Sequence, residues 1–126
     1  MHQMNISNVK GKLINEGTFF EREIKLFCSP DPRANIVRDG YGCGMTIIQP
    51  GKGHEVHTHP DSEETILVVS GQGTATIDGK DVEVKPMQII GLGKNESHGF
   101  ANTGDEPLCM YWIYTPPGPE AKFIVE

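Results

Sequence analysis

Apolar residues along this chain recur mostly in short bursts with a period of two, and no window holds a helical period for more than two turns. Residues 64–70 (ETILVVS) are the most strand-like stretch, rich in β-branched side chains. Residues 81–85 (DVEVK) alternate polar and apolar positions as a half-buried strand does. Residues 74–78 (TATID) run into Asp78-Gly79, the strongest hairpin-turn signal in the chain. Residues 43–49 (CGMTIIQ) form a strand closed by Pro50-Gly51, and residues 88–92 and 108–114 complete the set. Residues 18–28 (TFFEREIKLFC) read as one or two strands despite their charges, and two prolines make residues 29–35 a loop. Many short strands with turn signals about every eight to twelve residues predict an all-β sandwich or barrel. Phe, Ile, Val, Leu and Met at inward positions would fill its core.

Length and composition narrow this picture. A chain of 126 residues fits one domain able to bury a core without disulfides or a structural zinc. The expected organisation is a single domain over 1–126, with a polar arm over 1–12 and an extended tail over 115–126 stiffened by Pro116, Pro117 and Pro119. The 15 Gly and 9 Pro are scattered, as tight turns between short strands require. A net charge of −6 argues against a nucleic-acid or anionic-membrane partner, both of which need a basic patch, but leaves room for a local pocket that takes an acidic small molecule. Cys28, Cys43 and Cys109 are odd in number and irregular in spacing, so free thiols are expected rather than a disulfide framework. With no apolar leader in the first dozen residues and no run near the ~20 residues that span a bilayer, the expectation is a soluble, cytoplasmic protein.

The chemistry concentrates in residues 51–71 (GKGHEVHTHPDSEETILVVSG). His57 and His59 are two apart, so on a strand both imidazoles point to one face. Pro60-Asp61-Ser62 makes a turn, and a carboxylate returns on the next strand. Strand parity counted from His59 favours Glu63, but the Pro60 turn breaks that parity and leaves Glu64 as the rival. His98, in SHGFAN, is remote in sequence, and a barrel can bring it opposite the first pair. Three imidazole nitrogens with one carboxylate suit Mn, Fe, Co, Ni, Cu or Zn better than Mg or Ca, which prefer oxygen shells. Four protein ligands on an octahedral ion leave two positions open for water or a bidentate substrate.

This segment resembles the first cupin motif: Gly, five residues, His-x-His, three or four residues, Glu, six residues, Gly. The matching positions are Gly51, His57, His59, Glu64 and Gly71, and the spacing to Gly71 selects Glu64 over Glu63. The second cupin motif is matched at Gly79, Pro86, His98 and Asn102, with two departures. Met87-Gln88 stands where Gly-Asp is common, and the run 91–97 before His98 is longer than usual. The resemblance implies a double-stranded β-helix of the jelly-roll kind, a homodimer, and one divalent transition metal per chain in the barrel mouth, held by His57, His59, Glu64 and His98. It does not fix the reaction, because cupins include dioxygenases, isomerases, lyases, decarboxylases, hydrolases and non-enzymatic binders. The function expected is that of a metal-dependent enzyme acting on a small oxygenated molecule, a hydroxy or keto acid or a sugar derivative. The alternative is a non-catalytic module that binds or senses such a small-molecule ligand.

Other side chains are assigned around this frame. His54 precedes the ligand strand and is expected in an exposed loop, with a rim or catalytic role as its functional reading. Tyr41 and Arg38 precede a lining strand, from which they would reach a substrate carboxylate. Alternation puts Met110, Trp112 and Tyr114 on one face, so Trp112 or Tyr114 would wall the pocket. His54, Tyr41 and Tyr114 are the candidates for a general acid or base. Asn102 is expected to fix a turn, and Cys43 and Cys109 to be small buried hydrophobes.

Overall fold

Each alternating burst forms a strand in the computed structural model, which describes residues 1–125. The strands are β1 (Lys12–Ile14), β2 (Arg22–Ser29), β3 (Ile36–Val37), β4 (Gly42–Ile48), β5 (Gly53–His57), β6 (Glu63–Ser70), β7 (Gly73–Ile77), β8 (Lys80–Val84), β9 (Ile89–Leu92), β10 (His98–Asn102) and β11 (Leu108–Thr115). Helical structure among the described residues is limited to two short 3₁₀ turns, Ile6–Asn8 and Pro119–Phe123. No helix is long and apolar enough to cross a membrane among the described residues. The larger sheet runs β1-β2-β4-β11-β6-β9, with β3 paired to β2, and the smaller runs β5-β10-β7-β8. This is the jelly-roll barrel that the strand pattern and the two motifs imply.

Strand β11 shows how the alternation builds the interior. It pairs with β4 on one side and β6 on the other, with Trp112 opposite both Gly44 and Ile66. Met110, Trp112 and Tyr114 are buried in the main core with Ile24, Ile48, Ile66, Val68 and Leu108. The alternate residues Cys109, Tyr111 and Ile113 face a second cluster on the other side of the sheet, with Phe27, Cys28, Cys43 and Met45. Trp112 carries a polar atom into the core, and its indole N–H is satisfied by donating to Thr46 Oγ1 at 2.9 Å. Gly71, the last position of the first motif, has φ +86°, and a Cβ there would collide with the backbone of Pro107 and Leu108. Only glycine combines that left-handed conformation with so close an approach.

Both chain ends depart from the expectation. The arm over 1–12 is not wholly solvated: Val9 is buried against the second cluster, and Lys12 already belongs to β1. Covering Phe27, Cys28 and Met45 gives the apolar Val9 a reason to fold back. The expected extended tail over 115–126 is not extended over its described residues, which end at 125. After Gly118 the chain turns into the 3₁₀ segment Pro119–Phe123, and Phe123 and Ile124 join the main core. The turn is locked by Glu120, only 1% exposed, whose carboxylate accepts from Ser29 Oγ at 2.8 Å and from the Gly118 amide at 2.7 Å. Burial of two apolar side chains, with the one buried charge hydrogen-bonded, outweighs the stiffness of the proline run. Cys28 and Cys43 are buried and Cys109 half-buried, all as free thiols. Burial pushes the Cys43 thiol up to about 11.

Candidate metal centre

The centre is assembled where β5 meets β10. His57 lies opposite His98 and His54 opposite Phe100, with a shift of register between the two pairs. Two residues of β5, Glu55 and Val56, therefore face the single residue Gly99, which is a β-bulge. The bulge breaks the period of two, so His54 and His57, three apart, stack face to face with ring centroids 4.2 Å apart. Gly99 makes this approach sterically allowed, since a Cβ there would lie 2.9 Å from Val56 Cγ2 and 3.0 Å from the His54 carbonyl oxygen. Strand β5 ends at His57, and His59 enters from the following loop rather than from the same strand face.

Three imidazoles converge. The ligand-capable atoms of His57, His59 and His98 lie within 4.8 Å of one another, and the His57 and His59 Nε2 atoms are 3.0 Å apart. His57 Nδ1–H donates to the Glu55 carbonyl at 3.1 Å and His98 Nδ1–H to the Glu96 carbonyl at 2.9 Å. Those bonds set the tautomer and leave Nε2 of both rings with its lone pair directed at the common point. Glu64 opens β6 opposite Tyr114 and turns inward at 6% exposure, whereas Glu63 is exposed. Its Oε1 lies 3.1 Å from His98 Nε2 and 3.7 Å from His59 Nε2. Despite that proximity, Glu64 Oε1 and His98 Nε2 are buried with no well-formed hydrogen bond among the described residues.

This donor set fits a transition-metal ion. Two ligand atoms at about 2.1 Å from one ion and at right angles to each other stand about 3.0 Å apart, and the His57–His59 pair has that separation. Buried polar atoms without partners are costly, and a cation satisfies an imidazole lone pair and a carboxylate oxygen together. At two of the three rings the electrostatics agree with a ligand-ready imidazole. Burial first, and then the neighbouring histidines, lower His57 and His59 to about 4, so both are neutral at neutral pH. At His98 burial pulls the same way, but the facing Glu64 carboxylate more than offsets it and the pKa is raised.

The surroundings sort the remaining candidates. Tyr114 is buried beside the cluster, its hydroxyl 3.3 Å from His59 Nε2, and burial followed by the Glu64 charge holds its pKa well above the ordinary phenol value. His54 is not in an exposed loop. It is half-buried on β5, donates from Nδ1 to the Glu55 carbonyl at 2.8 Å, and is held far below the ordinary imidazole range, chiefly by burial. Tyr41 does not reach the site: it packs with the second cluster, on the opposite face of the larger sheet. Arg38 is exposed and donates to the Val37 carbonyl at 2.7 Å, likewise away from the histidines. Both expectations rested only on position just before a lining strand, which does not say which face of the sheet the loop follows. Asn102 fixes the turn after β10, donating to the carbonyls of Ile48 and Glu106 and accepting from the Gly104 amide.

Sequence reasoning missed Arg22. Its guanidinium is buried, lies 2.7 Å from Glu55 Oε1, and so braces the residue whose carbonyl orients both His54 and His57. An arginine at the head of a strand carried no signal for this, because its partner is thirty-three positions away.

The cupin domain family model matches residues 44–114, more than half of the chain. The protein belongs to the cupin family. This cupin is 32% identical over 77 residues to the polyketide synthase CurC of Streptomyces cyaneus, a match covering 61% of the chain and 50% of that protein. The chain spans about half the length of the curated relatives it matches, 50 to 61% of each. Among solved structures it is similar to a putative sugar phosphate isomerase of Acidithiobacillus ferrooxidans, at 29% identity and a TM-score of 0.72, over 87% of this chain and 70% of the other. It shares its fold with a predicted oxalate decarboxylase of Thermotoga maritima, at 21% identity and a TM-score of 0.77, over 91% and 99% of the two chains.

The bulge makes a local prediction for this cupin. Gly99→Ala should press on Val56 and the His54 carbonyl and tilt His57 out of the cluster. Metal affinity is then expected to fall by roughly 10–100-fold, the usual cost of losing an orienting contact. Isothermal titration with Co(II), beside a melting curve showing that the barrel still folds, checks it.

Proposed function

We propose that this cupin holds one divalent transition metal with His57, His59, Glu64 and His98, and is an enzyme acting on a small oxygenated molecule. The observation that carries the reading is the convergence of three imidazoles on one point, with a buried Glu64 oxygen beside His98 and His59 that has no well-formed hydrogen bond among the described residues. A bound metal would act as a Lewis acid that polarises a ligand oxygen. The chain's own residues supply the rest. Phe100, Trp112 and Phe123 line the interior beside the cluster and leave room for little more than one water molecule. Tyr114 keeps its proton at neutral pH and offers a hydroxyl donor next to the ligand atoms. His54, neutral and stacked on His57, keeps that ring in place.

The test is metal analysis of tag-free protein, followed by turnover assays on a panel of hydroxy acids, keto acids and sugar phosphates. One equivalent of a transition metal per chain and turnover of at least one class support the enzyme reading. Full metal with ligand binding but no turnover favours the non-catalytic binding module instead. A folded chain that refuses Mn, Fe, Co, Ni and Zn alike removes the metal centre altogether.

A further inference from the structure

Inside the barrel, the space next to His57, Glu64 and His98 is only about 20 Å³. That volume holds about one water molecule. Its walls are packed aliphatic and aromatic side chains, among them Ile24, Ile66, Phe100 and Trp112, so a hydroxy or keto acid has no room there. Directly outside lies a cleft of about 600 Å³, within the size range of small-molecule sites. One wall is the loop His59, Pro60, Asp61 and Ser62, and the other is the C-terminal turn from Pro117 to Lys122. His59 belongs both to this cleft and to the histidine cluster, so a molecule in the cleft is next to the metal ligands.

Two charged side chains line the cleft, Asp61 and Lys122. Neither makes an ion pair among the described residues. The Lys122 ammonium rests 5.2 Å from the centre of the Phe123 ring, and its charge is felt at His57 and His59, whose pKa values it helps to lower. The turn is anchored on both sides, by the buried Glu120 carboxylate and by Lys12 Nζ donating to the Lys122 carbonyl at 3.1 Å. Lys12 and Lys122 also line an adjoining cavity together, which concentrates positive charge at this edge. On a chain of net charge −6, such a local cation is what lets an anion approach.

We infer that this cleft is a carboxylate subsite, in which Lys122 pairs with the carboxylate of a small hydroxy or keto acid whose other oxygens face the histidines. The inference rests on the metal-centre reading and adds to it a substrate class and a recognising residue. Asp61, on the opposite wall, opposes the same anion and limits its affinity.

The test uses Co(II)-loaded protein, whose visible spectrum reports ligand binding, titrated with lactate and pyruvate and with their uncharged amides. Lys122→Gln should weaken binding of both acids roughly two- to fivefold, the worth of one exposed charge pair, and leave the amides unchanged. Lys122→Arg should restore the wild-type constants, and Asp61→Asn should tighten acid binding. The effect of Lys122→Gln should shrink in 1 M salt, where the screening length falls to about 3 Å. If Lys122→Gln shifts acids and amides by the same factor, or shifts neither, the inference is overturned. It is overturned also if the wild type binds neither acid. A protein that takes up Co(II) fully and gives those results keeps its metal centre and loses only the carboxylate subsite. A protein that takes up no Co(II) loses both.

Discussion

His98→Ala is expected to leave purification without metal and to bind added Co(II) more than about 100-fold more weakly than the wild type. The bound is set by comparison: losing an outer contact that merely orients a ligand costs about 10–100-fold, so losing a ligand atom must cost more. His98 is the contribution of β10, buried at 2% exposure, with its Nδ1 tied to the Glu96 carbonyl. Strand β10 offers no second ligand in its place, because Gly99 and Phe100 follow His98 and Ile77 lies opposite on β7. His57→Ala should behave alike, since its Nε2 is the partner of His59 Nε2 at 3.0 Å. Glu63→Ala should bind metal as the wild type does, because Glu63 is exposed while Glu64 faces the histidines. Metal analysis and titration calorimetry on the three variants give the answer. A His98→Ala chain with a full equivalent of tightly bound metal would sink the assignment.

Phe123→Ala is expected to destabilise the folded chain by about 3 kcal/mol, towards the lower end of the range for a buried phenylalanine. Phe123 is 6% exposed, packs 6.1 Å from Trp112 between ring centres, and walls the interior beside the histidines. The value lies at the lower end because a segment near a chain end relaxes more easily around a cavity than a central strand does. For a domain of this size the melting temperature should fall by roughly 10 °C. Metal uptake should persist, because none of the four ligand side chains depends on the Phe123 ring for its hydrogen bonds. Thermal melts with a parallel Co(II) titration test both halves. An extended, solvated tail would make the substitution nearly silent, within about 0.5 kcal/mol, and that outcome would refute the packing of the C-terminal turn.

The two substitutions probe parts of the protein that were unequally legible. His57, His59, Glu64, Gly71 and His98 stand at the spacings of two motifs, and the structure brings the three histidines together, with Glu64 beside two of them, His98 and His59. The choice between Glu63 and Glu64 came from motif spacing rather than from parity, because the loop at Pro60 interrupts the strand. His54 was placed in an exposed loop for a related reason: the bulge that brings it onto His57 is created by Gly99, forty-five positions away on another strand. For Tyr41 and Arg38 no local feature says which face of the sheet their loop follows, and the structure turns it away from the histidines.

From its sequence alone this chain determined most of its longer strands, several of their turns, the barrel class and the set of metal-capable side chains, but not β1, β3, β5 or β10. Those depend on alternation, turn residues and fixed spacing, all of which act over a few neighbouring positions. Only the tertiary structure decided the β-bulge, the bracing of Glu55 by Arg22, the return of Phe123 into the core and the placing of Lys122 beside His59. Each is set by contact between residues far apart in the chain, where shape and the satisfaction of buried polar groups select one arrangement and local pattern is silent.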